Sequence, residues 1–80
     1  MNDLEKYKNF IITKNTEYVL FNIDLIGRYL EKIRDLRNHK YAKYFQNDIK
    51  KYEKIISKLE KENNELVNEI EEVKELKAEV

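Results

Sequence analysis

From Phe45 to the C-terminus the apolar positions fall into a sustained seven-residue rhythm. Phe45, Tyr52, Leu59, Leu66, Val73 and Val80 recur every seven residues, and Ile49, Ile56, Asn63, Ile70 and Lys77 follow them by four. That alternation of three and four marks a coiled-coil helix. With the first set at d and the second at a, β-branched residues occupy a and leucines the central d positions, which favours two parallel strands. Asn63 at an a position supports the same expectation, because a buried asparagine is stabilised by meeting its counterpart across a two-stranded seam. The predicted dimerisation set is therefore Phe45, Ile49, Tyr52, Ile56, Leu59, Asn63, Leu66, Ile70 and Val73. Ile55, Val67 and Leu76 widen the apolar seam beyond what two strands cover.

The N-terminal half is patterned less regularly. Asn2 or Asp3 can cap a first helix carrying Leu4, Tyr7 and Ile11, and Lys14-Asn15-Thr16 then interrupts it. The runs Phe10-Ile11-Ile12-Thr13 and Tyr18-Val19-Leu20-Phe21 around that polar turn leave a short β-hairpin over residues 10–21 as an alternative. From Thr16, a good N-cap, Val19, Ile23, Ile26, Leu30 and Ile33 form a helical stripe that Leu20, Leu25, Tyr29 and Leu36 widen. A helix apolar over so much of its circumference is expected to be buried on more than one side. Near Arg37-Asn38-His39-Lys40 the stripe changes phase, with no glycine or proline to mark a stop, so a turn at Asn38 and a continuous rod both fit. The expected class is all-α: residues 1–38 a helical packing or interaction segment, residues 39–80 a coiled-coil dimerisation helix.

Eighty residues bury only roughly 60% of their unfolded surface, so a chain of this size is marginal alone. It has no cysteine and one histidine, which removes disulfide and metal staples and leaves self-association. No signal-peptide-like stretch follows Met1, and the longest apolar run, Tyr18 to Phe21, is far below the roughly 20 residues of a membrane span. A cytoplasmic location is the expectation. The net charge is zero, but unevenly built: residues 28–58 carry ten basic against four acidic groups, and residues 59–80 three against eight. Gly27 is the only glycine and proline is absent, a composition suited to long helices and an AT-rich genome.

Little in the chain suits catalysis. There is no thiol nucleophile and no glycine-rich phosphate loop, and Ser57 sits at an outer coil position. No cofactor and no metal is expected, since His39 has no ligand-type neighbour at metal-binding spacing. Arg34, four residues, then His39 resembles the motif of HEPN-type ribonucleases, over six residues only. That resemblance implies an arginine and a histidine acting on RNA phosphodiesters at a helical dimer interface; a basic, solvated helix turn explains the same residues. Lys40, Lys43, Lys50, Lys51, Lys54 and Lys58 with Arg37, Asn38 and Ala42, ahead of a coiled coil, resemble the basic region of bZIP factors. The pattern departs where Tyr41 and Phe45 replace small or polar residues and Gln46 replaces an arginine.

The expected function is therefore a non-enzymatic interaction module: a small homodimeric adaptor or modulator of a larger protein machine. Its compositional style suits a phage or mobile-element protein acting on a host AAA+ protease-chaperone or on transcription or replication machinery. Tyr18, Phe21, Tyr29, Tyr41 and Tyr44 are the expected partner-binding residues, because buried aromatics dominate interface energy. A DNA-binding regulator using the basic 28–58 stretch and a structural scaffold or spacer are the alternatives.

Overall fold

The computed structural model describes residues 2–77. It is all-α: helix α1 spans Asp3–Arg37, a 3-10 turn spans Ala42–Phe45, and helix α2 spans Gln46–Lys74. The two helices run antiparallel as one long hairpin with principal dimensions of 66 × 16 × 11 Å.

Asn2 starts α1. Its backbone is extended, and its Oδ1 accepts the Glu5 amide at 2.8 Å, which satisfies one of the free N–H groups of the first turn. Asp3 and Glu5 in the first turn and Arg34 and Arg37 in the last complement the helix dipole. The helix continues through Lys14-Asn15-Thr16, so neither the expected interruption nor the β-hairpin over residues 10–21 is present. The physical reason lies in α2. Ile11, Asn15 and Asn22 are buried on one face of α1 and receive a partner only while the segment stays helical. Tertiary contact of this kind outweighs the small helix penalty of the β-branched residues, and the polar stretch holds no glycine to favour a tight turn.

The reversal at residues 38–41 is built without glycine or proline. Asn38 closes α1 by donating its amide to the Arg34 carbonyl, and the Tyr41 amide donates to His39 Nδ1 at 3.0 Å. The imidazole of His39 packs edge-on against Phe45 with ring centroids 5.3 Å apart, tying the turn to the start of α2. Every backbone φ among the described residues is negative, so the turn is unstrained.

The core runs along the hairpin as a single seam. Ile33, Ile49 and Ile56 are buried together, with Ile26, Tyr29, Leu36 and Tyr52 packed around them. Ile11 and Val73 are buried toward the open end. All nine positions expected to dimerise are buried or half-buried, and the seam they form is filled by α1 of the same chain. Val80, the last member of the heptad set, lies outside the described residues. The inward face of α1 differs from the expected stripe. Ile26 and Ile33 do face α2, but Leu20, Ile23 and Leu30 are 60%, 54% and 53% exposed. Two asparagines, 15 and 22, take up interior positions that the apolar stripe had assigned to those side chains.

Candidate interaction surfaces

The interior polar groups fix how α1 and α2 slide against each other. Asn22 Nδ2 donates to Asn63 Oδ1 at 2.9 Å and to Glu62 Oε1 at 3.3 Å. Asn63 thus has an asparagine partner, as its heptad position requires, but that partner is Asn22 of the same chain. One seam position is completely enclosed: Asn15, whose Nδ2 donates to the Leu66 carbonyl at 3.1 Å. Its Oδ1 is buried with no hydrogen-bond partner among the described residues. An orphaned acceptor of this kind costs about 1–3 kcal/mol. A slip of one helical turn would part Asn22 from Asn63, so this side-chain pair favours a single register.

Outside the seam, α1 presents two apolar faces. On one, Phe10, Tyr18 and Phe21 stand 62%, 53% and 60% exposed and line two adjoining shallow grooves with Lys14 and Glu17. Lys14 Nζ lies 5.7 Å from the centre of the Phe10 ring, a cation–π arrangement. On the other, Thr16, Leu20, Ile23, Gly27 and Leu30 are exposed, and Thr13, also exposed, stands at its edge, where it lines the Phe10 groove as well. At 100° per residue these six share one stripe, on the opposite side of the seam from Phe10 and Phe21.

The expected partner-binding residues divide into three groups. Tyr18 and Phe21 lie on the first apolar face of α1. Tyr29 is half-buried, its ring 5.5 Å from that of Tyr52, with Lys32 Nζ over both, so it belongs to the hairpin's own packing. Tyr41 and Tyr44 are 50% and 70% exposed at the turn, where Lys40 and Lys43 cover their rings at 5.1 and 5.2 Å. Sixteen residues separate Phe21 from the end of α1, about 24 Å of helix, so the two exposed aromatic groups are separate surfaces. Sequence pattern missed Phe10 and Tyr7 as members of the first. The available signal was the three- or four-residue spacing of Tyr7, Phe10, Lys14, Tyr18 and Phe21, which the supposed break at Lys14 concealed.

The remaining candidate chemistry is dispersed. The guanidinium of Arg34 lies 3.6 Å from Glu31 and 3.7 Å from Asp35, while the His39 ring is engaged by Tyr41 and Phe45. Among the described residues no three histidine, cysteine, aspartate or glutamate side chains gather as a metal site would require. No helix among them is long and apolar enough to cross a membrane. No family model, no curated protein and no solved structure matches the chain.

Proposed function

We propose that the chain is a non-enzymatic protein-interaction module, a dimeric helical-hairpin adaptor or modulator that seats one aromatic face of α1 on a larger protein. The observation that carries this reading is the exposure of Phe10, Tyr18 and Phe21 within about three turns of a helix whose core-facing side is already filled. Exposed aromatics grouped around a lysine are poor solvent-facing residues and good anchors, since each offers a large rigid area with little rotamer entropy to lose. The hairpin beneath them is a straight bar that holds their spacing. AT-rich-style composition and small size suit a phage or mobile-element protein that acts on a host machine such as an AAA+ protease-chaperone or the transcription or replication apparatus. Two copies would present the aromatic face twice and raise avidity for a multimeric target.

A specific observation also favours DNA binding: exposed Tyr41 and Tyr44 lie under Lys40 and Lys43 at one end of the bar. One capture experiment separates the readings. Wild type, Phe10→Ser/Phe21→Ser and Lys40→Ser/Lys43→Ser are immobilised at equal density, and host extract is passed over each with and without prior nuclease treatment. Loss of a stoichiometric protein with the first variant and its retention with the second is the expected result. Equal capture by the aromatic variant refutes the assignment. Binding that needs the lysines and falls steeply with salt transfers the function to nucleic acid.

A further inference from the structure

The exposed stripe Thr13, Thr16, Leu20, Ile23, Gly27 and Leu30 is spaced three, four, three, four and three residues apart. That is the periodicity of the buried seam, repeated on an exposed face whose ends border other grooves: Thr13 lines the one with Phe10, and Leu30 the one with Ile56 of α2. Of all residues, 40% are charged, yet these six positions over five turns hold none; Glu31 and Arg34, of opposite sign, close the stripe. A solvated helix face of this length would be expected to carry charge.

Gly27 makes the stripe harder to explain within the monomer. A glycine in a helix interior costs about 1 kcal/mol relative to alanine. Here its φ is not positive, and an added Cβ would meet nothing within 4 Å. The hairpin itself has no use for a glycine at this point. A neighbouring helix that approaches closely does.

We propose that a second copy of this chain packs on the stripe, α1 against α1, antiparallel about a twofold axis. This deepens the dimer of the proposed function by placing its interface. When the two stripes overlap fully, Thr13 lies opposite Leu30, Thr16 opposite Gly27, and Leu20 opposite Ile23, each pair occurring twice by symmetry. The small residues of one copy receive the large ones of the other at the ends, Leu20 and Ile23 fill the centre, and Gly27 meets Thr16 where the backbones come closest. A parallel arrangement would instead set Glu31 against Glu31 and Arg34 against Arg34. The surface of this elongated hairpin is large enough for the same occupant. The chain exposes 6675 Å². A compact monomer of its 9.8 kDa would expose about 5,200 Å². The excess of about 1,500 Å² is ample for the roughly 800 Å² that a stable interface takes from each partner. The chain's zero net charge removes general repulsion between copies.

The test is absolute mass by light scattering across a hundredfold concentration range, with far-UV circular dichroism as the control for folding. Wild type should reach twice 9.8 kDa. Gly27→Glu, whose side chain enters open space in the monomer, should keep its helicity and weaken dimerisation by at least about 30-fold, as expected of a central interface position. Gly27→Ala should weaken it less, and Lys50→Glu/Lys51→Glu not at all. A wild type that stays at 9.8 kDa overturns the dimer and its placement together. A wild-type dimer whose mass is unchanged in Gly27→Glu overturns the placement alone. If that dimer instead dissociates in Phe10→Ser/Phe21→Ser, the aromatic face is the self-interface and its role in the proposed function falls too.

Discussion

The bond between Asn22 and Asn63 gives the sharpest test of how the two helices are paired. Asn22 is 4% exposed, and its Nδ2 has one short bond, 2.9 Å to Asn63, and one longer bond, 3.3 Å to Glu62. Asn63→Leu removes the better acceptor and leaves a buried N–H₂ group poorly satisfied, a loss of about 1–2 kcal/mol after the apolar gain of leucine. Asn22→Leu strands Asn63 Oδ1, but Asn63 is only half-buried and water can reach it, so the loss should stay below about 1 kcal/mol. Replacing both removes the polar pair and fills the seam with carbon, which is close to neutral or stabilising. The double-mutant cycle should therefore show a coupling of at least about 1 kcal/mol, or about 4–8 °C in melting temperature for a chain of this size. The assay is urea unfolding followed by circular dichroism for wild type, both single variants and the double. Additivity within about 0.3 kcal/mol would mean that the two side chains do not meet, as in a parallel coiled coil where Asn63 pairs with its own copy. In Gly27→Glu, where pairing through the outer stripe is weakened, a dimer that exchanges α1 between copies would preserve the coupling and keep a midpoint that depends on protein concentration, and a closed hairpin would not.

Four further outcomes follow from the seam and its ends. Ile49→Ala, at a position 3% exposed among Ile33 and Ile56, should cost about 2–5 kcal/mol by urea unfolding. Asn15→Leu removes an orphaned buried oxygen while the Leu66 carbonyl remains within its helix, so the melting temperature should rise or hold; a clear fall would show that the amide is fully satisfied. Arg37→Ala breaks the 3.1 Å pair with Glu53, whose side chains are 60% and 52% exposed, so the change should be under about 0.5 kcal/mol and vanish in 1 M salt. Asn2→Ala should cost about 1 kcal/mol and appear first as faster amide exchange in the opening turn of α1.

The sequence displays α2 almost completely, because its eight seam residues, and Phe45 just before it, are spaced by a single rule that only Asn63 interrupts with an amide. The all-α class follows from the same pattern, which fitted a turn at Asn38 and a continuous rod alike. The face of α1 was legible only in part. Asn15 and Asn22 lie seven residues apart, in step with Tyr29 and Leu36, but two amides in a seam look polar until their partners are known. With them set aside, the remaining apolar residues suggested a stripe through Leu20, Ile23 and Leu30, which is a real stripe on the outer face. Tyr29 was misplaced for a related reason: an aromatic at a helical position reads the same whether Tyr52 covers it or a partner does.

A heptad pattern states what one helix requires of its neighbour and is silent on whether that neighbour is in the same chain. Chain connectivity decides the matter through concentration. The turn at residues 38–45 holds α1 near α2 at an effective concentration of order millimolar, above what a second α2 reaches unless the protein is itself that concentrated. Preference for the internal partner therefore depends on how well a turn without glycine or proline closes, and the ring of His39 against Phe45 and the Tyr41 amide on its Nδ1 are the contacts that close it. Those contacts are among side chains whose types predict no turn, so the feature that selects a hairpin over a rod is the one least visible in sequence. It also determines what is left over. Once α2 is satisfied from within, most of the exposed apolar surface lies on α1, with Tyr41 and Tyr44 at the turn and Val67 and Leu76 beyond it.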